Sequence, residues 1–254
     1  MKSRRLKLLS ANIQAGSSTR RYSDYATRSW SHVLPIGGKR SALDTIAELA
    51  GQHDIVGLQE ADPGSFRSGF TNQTHYLAIR AGFEHWSHQP NRNVGGLASS
   101  ANGLLSRLKP TAIETHPLPG LMKGRGLLLS RFGEGEDGLV VAVAHLSLST
   151  QSRLSQLAFI AEVLGSAKTA VLMGDFNCRI NQPEMDVLFH RTRLEPPDGD
   201  VHTFPAWKPD RAIDHILTTP NIQSHERKAV PAAASDHLAL SAELDIPEVA
   251  LKSA

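Results

Sequence analysis

One cysteine, Cys178, is all that 254 residues carry. An intramolecular disulfide framework is therefore excluded, and the composition fits a reducing compartment. The paired cysteines and closely spaced histidines that hold zinc are missing too. Cys178 has no catalytic-cysteine context and reads as small filler. Long apolar runs are equally absent: no stretch approaches the roughly 18 consecutive apolar residues of a membrane helix, so no integral membrane segment is expected. The opening MKSRRLKLLSANIQ starts like an export signal, but Lys7 breaks its short apolar stretch and Ser10 and Asn12 follow, so a cytoplasmic location is expected. Nor does charge of one sign dominate. Lys and Arg total 27 against 25 Asp and Glu, a formal net charge of +2, far from the composition of a dedicated nucleic-acid coat.

What remains is 40% hydrophobic and 20% charged residues, the balance of a soluble globular protein. No internal repeat, low-complexity tract or linker interrupts the chain. This predicts one domain over residues 1–254, taken as a monomer. Short apolar runs bounded by Gly, Pro, Asn or Asp recur as LKLLSANI, DIVGLQE, NGLLSR, GRGLLLSRF, LVVAVAHLSL, TAVLMGDFN, AIDHILTT and HLALSAELDI, with the length and composition of strands. Two amphipathic helices lie between them. In residues 41–52, Leu43, Ile46, Ala47, Leu49 and Ala50 share a face behind Ser41 as N-cap; in residues 150–164, Leu154, Leu157, Ala158, Ala161 and Leu164 do the same. Strands that follow one another directly fit poorly with a purely doubly wound parallel sheet. Two packed mixed sheets with helices on their outer faces, an α/β sandwich of the α+β kind, account for the pattern.

The stretch VLMGDFNCR, residues 171–179, gives the functional signal. A covered apolar strand stops at Gly174, where a tight turn is expected, and Asp175 and Asn177 follow with Phe176 pointing back inside. The same pattern repeats along the chain: a strand ending or beginning in a carboxylate, amide or imidazole. Asn12 follows LLSA, Glu60 follows IVGLQ, His145 follows VVAVA, Asp214 follows AI, and Asp236 with His237 precede LALSAEL. Taken singly, each such residue has the bland reading of a turn former or a packed surface group.

As a set they carry chemistry. Glu60, Asp175 and Asp236 are hard oxygen donors, and Asn12 and Asn177 add neutral ones, a combination that suits Mg2+ or Mn2+. Magnesium is usually held by one or two carboxylates together with substrate phosphate oxygens, so a phosphate ester is the substrate class indicated. Hydrolysis needs a base or orienting group for water and charge neutralisation on the phosphoryl oxygens. His237, with Asp214 as its carboxylate orienter, fits the first need; Asp175 is a rival base. His145 can donate to the phosphate.

The ordered motifs SANIQ, VGLQE, NGLLSR, AHL, GDFN, IDHI and SDH resemble those of the endonuclease/exonuclease/phosphatase superfamily, which includes deoxyribonuclease I and neutral sphingomyelinases, and HTFPAWKPDRAIDHI is nearest to its small bacterial phosphodiesterase-like members. The resemblance implies a four-layer α/β sandwich with the site at one end of two sheets. It also implies Glu60 as the metal-binding glutamate, Asn12 beside the same metal, Asp175 and Asn177 at metal, water and phosphate, and Asp236 beside the catalytic His237. Asp214 becomes the partner of His237, His145 the second histidine, and Asn102 a residue near the phosphate. Gln14 stands where the abasic-site nuclease branch has an acidic residue, and His145 where that branch has tyrosine. Glu84 is a candidate for the glutamate that partners the second histidine in deoxyribonuclease I.

Arg125, in KGRGLLLS, either reaches substrate phosphate or caps an edge strand, and Arg211 is similar; Arg153 and Gln156 read as structural. Residues 15–39 and 82–100 have no clear period and read as loops at the site mouth. The aromatics in and near them, Tyr22, Tyr25, Trp30, Trp86 and Trp207, with the basic residues Arg20, Arg21, Arg28, Lys39 and Arg40 among them, suit either contact with bases or lipid or small satellite cores. A nuclease acting on DNA or RNA and an enzyme acting on a lipid headgroup or small phosphodiester both stay open. The contrasting class is a non-catalytic module of the same fold that holds a phosphorylated partner.

Overall fold

The computed structural model describes residues 2–14, 39–120, 124–233 and 235–252. Strands β1 (Ser3–Asn12), β2 (Ile55–Ala61), β3 (His85–Val94), β4 (Ala98–Ser106), β10 (Gln223–Val230) and β11 (Ala239–Pro247) form one sheet in the order β10-β11-β1-β2-β4-β3. The second sheet, β5-β6-β7-β8-β9, contains β5 (Ala112–Pro117), β6 (Gly126–Phe132), β7 (Leu139–His145), β8 (Thr169–Asp175) and β9 (Asp214–Thr218). Each sheet has one parallel pair, β1 with β2 and β7 with β8, and antiparallel pairs elsewhere.

Alternation along the strands builds three cores. The inner faces meet through Leu6, Leu8, Ile55, Leu128, Val141, Val143, Val171, Met173, Ile216 and Leu240. The opposite face of the first sheet packs on α1 (Lys39–Ala50) and α2 (Gln73–Ala81) through Leu9, Val56, Leu58, Leu43, Ile46 and Leu77. The opposite face of the second packs on α3 (Thr150–Leu164) and α4 (Asp186–Arg191) through Leu127, Leu129, Leu172, Leu157, Ile160 and Leu188. The result is the expected four-layer α/β/β/α sandwich.

Several local expectations change. Helix α1 includes Lys39, so Ser41 lies within it rather than capping it. Helix α3 has the expected bounds with Ser149 as N-cap, but Leu154 is exposed, and Arg153 and Gln156 occupy the buried face. Residues 82–100 are a hairpin, not a loop. Strand β3 is a sheet edge, paired on one side only with β4, so its sequence HWSHQPNRNV needs no apolar run. Residues 15–38 of the other expected loop, with Tyr22, Tyr25, Trp30 and their arginines, lie outside the described residues. Strand β8 does not turn at Gly174 but runs on through Asp175. Gly174 is needed for close approach: its φ is 149°, and a Cβ would stand 1.8 Å from the Ala144 carbonyl oxygen.

Candidate active site

Register brings the polar groups together. His145 pairs with Asp175 across β7 and β8, and Asp175 pairs with Asp214 across β8 and β9. Residues paired side by side point to the same face. Val143, Met173 and Ile216, each two positions away, belong to the inter-sheet core, so all three polar groups face inward at the open end of that core. Asn12 ends β1 on the facing sheet with the same inward parity as Leu6 and Leu8.

Glu60 breaks parity. Val56 and Leu58 face the outer helices, and an unbroken strand would send Glu60 after them. Instead the β2–β4 register shifts between Leu58 and Ala61, and Glu60 adopts φ 57°. This irregularity re-aims the carboxylate into the cleft. Gln14 at φ 43° and Asn177 at φ 53° also border the cleft. Left-handed backbone at three non-glycine positions around one site is strain held by the surrounding fold.

The cleft encloses ≈ 560 Å³, and its walls include Asn12, Glu60, Arg125, His145, Asp175, Asn177, Asp236 and His237. Asp175 is at its floor. Asp175 Oδ2 accepts from Asn12 Nδ2 at 3.1 Å and faces His145 Nε2 at 3.4 Å and His237 Nε2 at 3.8 Å; its Oδ1 accepts from the Asn177 backbone N–H at 2.9 Å. The Asn177 amide is anchored on the Leu146 carbonyl at 2.9 Å. Behind the cleft, Asp214 Oδ2 lies 2.9 Å from His237 Nδ1 and accepts from Thr203 Oγ1 at 2.5 Å. Ser235 Oγ donates to the Asn12 carbonyl at 2.6 Å and accepts from the His237 N–H at 3.1 Å, and the Phe204 ring packs on the His237 ring at 4.8 Å.

Burial sets the charges. It lifts the Asp175 pKa to about 7, opposed by the cationic His237 and reinforced by Asp214. Burial also opposes charge on His237, but the carboxylates of Asp214 and Asp175 outweigh it and raise its pKa to about 10. Burial, then the Arg125 charge, hold His145 well below the ordinary imidazole value, so it is neutral. Burial also pushes the Cys178 thiol to about 12, in keeping with an inert filler.

The donor set fits a hard divalent cation. Among the described residues, the ion-pair-range contact of Glu60 is with His145 at 3.9 Å, which carries no charge. Among the described residues, the Glu60 carboxylate makes no ion pair with Lys or Arg; it stands in strained backbone near Asp175, with Arg125 acting on both from across the cleft, a grouping of oxygens that suits a bound cation. Asp175, Asp214 and His237 form a second set, with ligand atoms all within 4.8 Å, but there Asp214 is already engaged by Thr203 and His237.

Other expected residues fall elsewhere. Asn102 is fully buried outside the cleft lining, its amide donating to the carbonyls of Gly126 at 2.8 Å and Val143 at 3.3 Å. Glu84 is exposed just before β3, at the end of the sheet where His85 pairs with Ser106, away from the cleft; the His145 Nδ1 partner is Arg125 at 2.7 Å. Trp86 is stacked between His75 and His88 rather than in the cleft. Arg211 lines the cleft with its guanidinium 4.4 Å from the Phe204 ring centroid. Arg153 also reaches the lining but is tied to Glu184. Thr203, Ser235 and Phe204 were not singled out by sequence: hydroxyls and rings that support a catalytic group have no spacing signature of their own.

A two-sheet sandwich with acidic and imidazole groups at one end of the strands defines the deoxyribonuclease I-like class. The chain belongs to the endonuclease/exonuclease/phosphatase family, whose sequence model matches residues 9–237; its members are generally phosphoesterases that use divalent metals. Solved structures agree on the fold. A family protein from Beutenbergia cavernae is 21% identical with a TM-score of 0.74, over 96% of this chain and 72% of that one. One from Bacteroides thetaiotaomicron is 17% identical with a TM-score of 0.71, over 97% and 100%. The mannosyl-6-phosphatase of Bacteroides thetaiotaomicron is 17% identical with a TM-score of 0.65, over 94% and 99%. No curated protein sequence matches the chain. No described helix is long and apolar enough to cross a membrane.

Proposed function

We propose that the protein is a divalent-metal-dependent phosphohydrolase that cleaves phosphodiester bonds by in-line attack of water. The observation that carries this reading is the inward row of His145, Asp175 and Asp214, faced by His237 and flanked by Glu60. Glu60, Asp236 and Asn12 would hold Mg2+ or Mn2+ beside Asp175, and the ion when bound would supply charge neutralisation at the phosphoryl oxygens and leaving group.

The charge states favour a division of labour. Asp175, with a pKa of about 7, is matched to accept the proton of water near neutrality. His237, held by Asp214 and raised to about 10, is a cation that orients the water and the phosphoryl group. Asn177 and His145 complete the phosphate contacts. A module that only binds phosphate is disfavoured, because such sites rely on Lys, Arg and backbone amides rather than several inward carboxylates.

Substrate choice lies between nucleic acid and a smaller phosphodiester or headgroup. The test is a panel of a generic phosphodiester, a phosphomonoester, and single- and double-stranded DNA and RNA, each with Mg2+, Mn2+ or EDTA, beside His237→Ala. Metal-dependent cleavage that disappears in the variant supports the proposal. Equal cleavage in EDTA, or in the variant, rejects it.

A further inference from the structure

The partner of His145 is unusual in kind. A histidine beside a phosphate site is commonly backed by a carboxylate or carbonyl, which accepts from one ring N–H. Here the backing group is a guanidinium, with Arg125 Nη1 2.7 Å from His145 Nδ1. Guanidinium has donors and no acceptor, and arginine stays protonated throughout the working range. His145 Nδ1 must therefore accept, and the one proton of the neutral ring sits on Nε2.

Resting on the reading under Proposed function, we propose that Arg125 is a positioning residue that locks His145 as a neutral Nε2–H donor, aimed into the cleft between Asp175 and Glu60. The Nε2 atom lies 3.4 Å from Asp175 Oδ2 and 3.9 Å from Glu60 Oε1, so its proton points where a phosphoryl oxygen would sit beside those carboxylates. With a carboxylate in the place of Arg125, Nδ1 would carry the proton and a neutral ring would offer Nε2 as an acceptor. That acceptor would repel a phosphoryl oxygen. The arginine selects the opposite chemistry.

The fold holds this arrangement from behind. Gly126 leaves room for the Asn91 and Gln89 side-chain ends, which would have to swing aside for a Cβ 2.2 Å from Asn91 Oδ1 and 2.4 Å from Gln89 Oε1, so the start of β6 lies close against β3 beside Arg125. The Arg125 carbonyl accepts from the Leu118 N–H at 3.0 Å. The buried Asn102 amide, donating to both Gly126 and Val143, ties the strand that begins beside Arg125 to the strand that ends in His145. Among the described residues, the guanidinium makes no other hydrogen bond.

The experiment joins long-range proton–nitrogen NMR on histidine-labelled, metal-free protein with steady-state kinetics on whichever phosphodiester the panel identifies. In wild type, the expected His145 signature is an unprotonated Nδ1 and a protonated Nε2. In Arg125→Met, that signature should give way to mixed tautomers, with kcat down about 10- to 100-fold and KM changed by less than about threefold. Arg125→Lys keeps a donor and should restore the signature and most of kcat. It also serves if the Met variant fails to fold. A protonated Nδ1 in wild type overturns the proposal. So does a raised KM in Arg125→Met with an unchanged tautomer, which would make Arg125 a direct phosphate ligand. The NMR result stands apart from turnover: an inactive wild type counts against the phosphohydrolase reading, not against the Arg125–His145 assignment.

Discussion

His237 Nδ1 and Asp214 Oδ2 lie 2.9 Å apart on two buried side chains. The same oxygen takes the Thr203 hydroxyl at 2.5 Å, so the carboxylate is fixed before it fixes the ring. Removing His237 as alanine should lower turnover about 10²- to 10⁴-fold with the fold retained, the usual range for a proton-transfer or charge-stabilising group. Asp214→Asn should approach that loss by presenting an amide to Nδ1. Thr203→Val should cost less, about tenfold by analogy with other supporting hydrogen bonds. Initial rates on the identified phosphodiester, with circular dichroism for the fold, check all three. Near-wild-type rates in Asp214→Asn would remove the pair from the mechanism.

The pH profile follows from the two shifts. Turnover requires Asp175 ionised and His237 charged, so kcat/KM should rise as pH passes about 7 and fall as it passes about 10. In His237→Ala the alkaline fall should vanish, and the acid limb should move up because the cation that favoured ionised Asp175 is gone. Stability carries the same sign. The folded pKa of His237 lies above its ordinary 6.5, so its contribution is complete below that value and is lost as pH rises through about 10. Melting temperatures across that window should decline in wild type and decline less in His237→Ala.

Gly174→Ala tests the close approach of β8 to β7. A methyl group 1.8 Å from the Ala144 carbonyl at φ 149° meets two penalties, a clash with backbone that cannot swing away and a dihedral region nearly restricted to glycine. Overpacking and strain of this kind each cost about 1–3 kcal/mol. The variant should melt well below wild type or fail to accumulate as folded protein. An unchanged melting temperature would show that β8 can separate from β7 without loss.

This glycine also marks the limit of what the chain discloses before folding. GDFN is legible as a site because four residue types with distinct chemistry stand together, and the apolar runs around it disclose the strands of the second sheet. That Gly174 serves approach rather than a turn depends on Ala144, thirty residues away on another strand. Glu60 was legible as a ligand type, yet its aim depends on a register shift against β4 that no local pattern encodes. Strand β3 stayed hidden because an edge strand can be polar on both faces. Arg125 was visible, but a cationic side chain in an isolated motif gives no sign that its partner is a histidine.

Arg153 and Glu184 bind the cleft to the outer helical layer. Arg153 Nε and Nη2 both reach Glu184 Oε1, at 2.9 and 2.6 Å, while Nη1 donates to the carbonyls of Leu148 at 2.5 Å and Ser147 at 3.4 Å. Those carbonyls belong to the segment just after His145, where Leu146 also receives the Asn177 amide. Arg153→Met leaves a buried carboxylate without its cation, a change that typically costs about 3–5 kcal/mol. Adding Glu184→Leu removes the stranded charge and should recover much of the stability. The carbonyls of Ser147 and Leu148 would still lack their donor, so turnover in the double variant should stay depressed although the melting temperature returns. Chemical denaturation of both single variants and the double variant gives the coupling directly. If activity recovers together with stability, Arg153 supports the fold alone and the segment after His145 holds its shape without it.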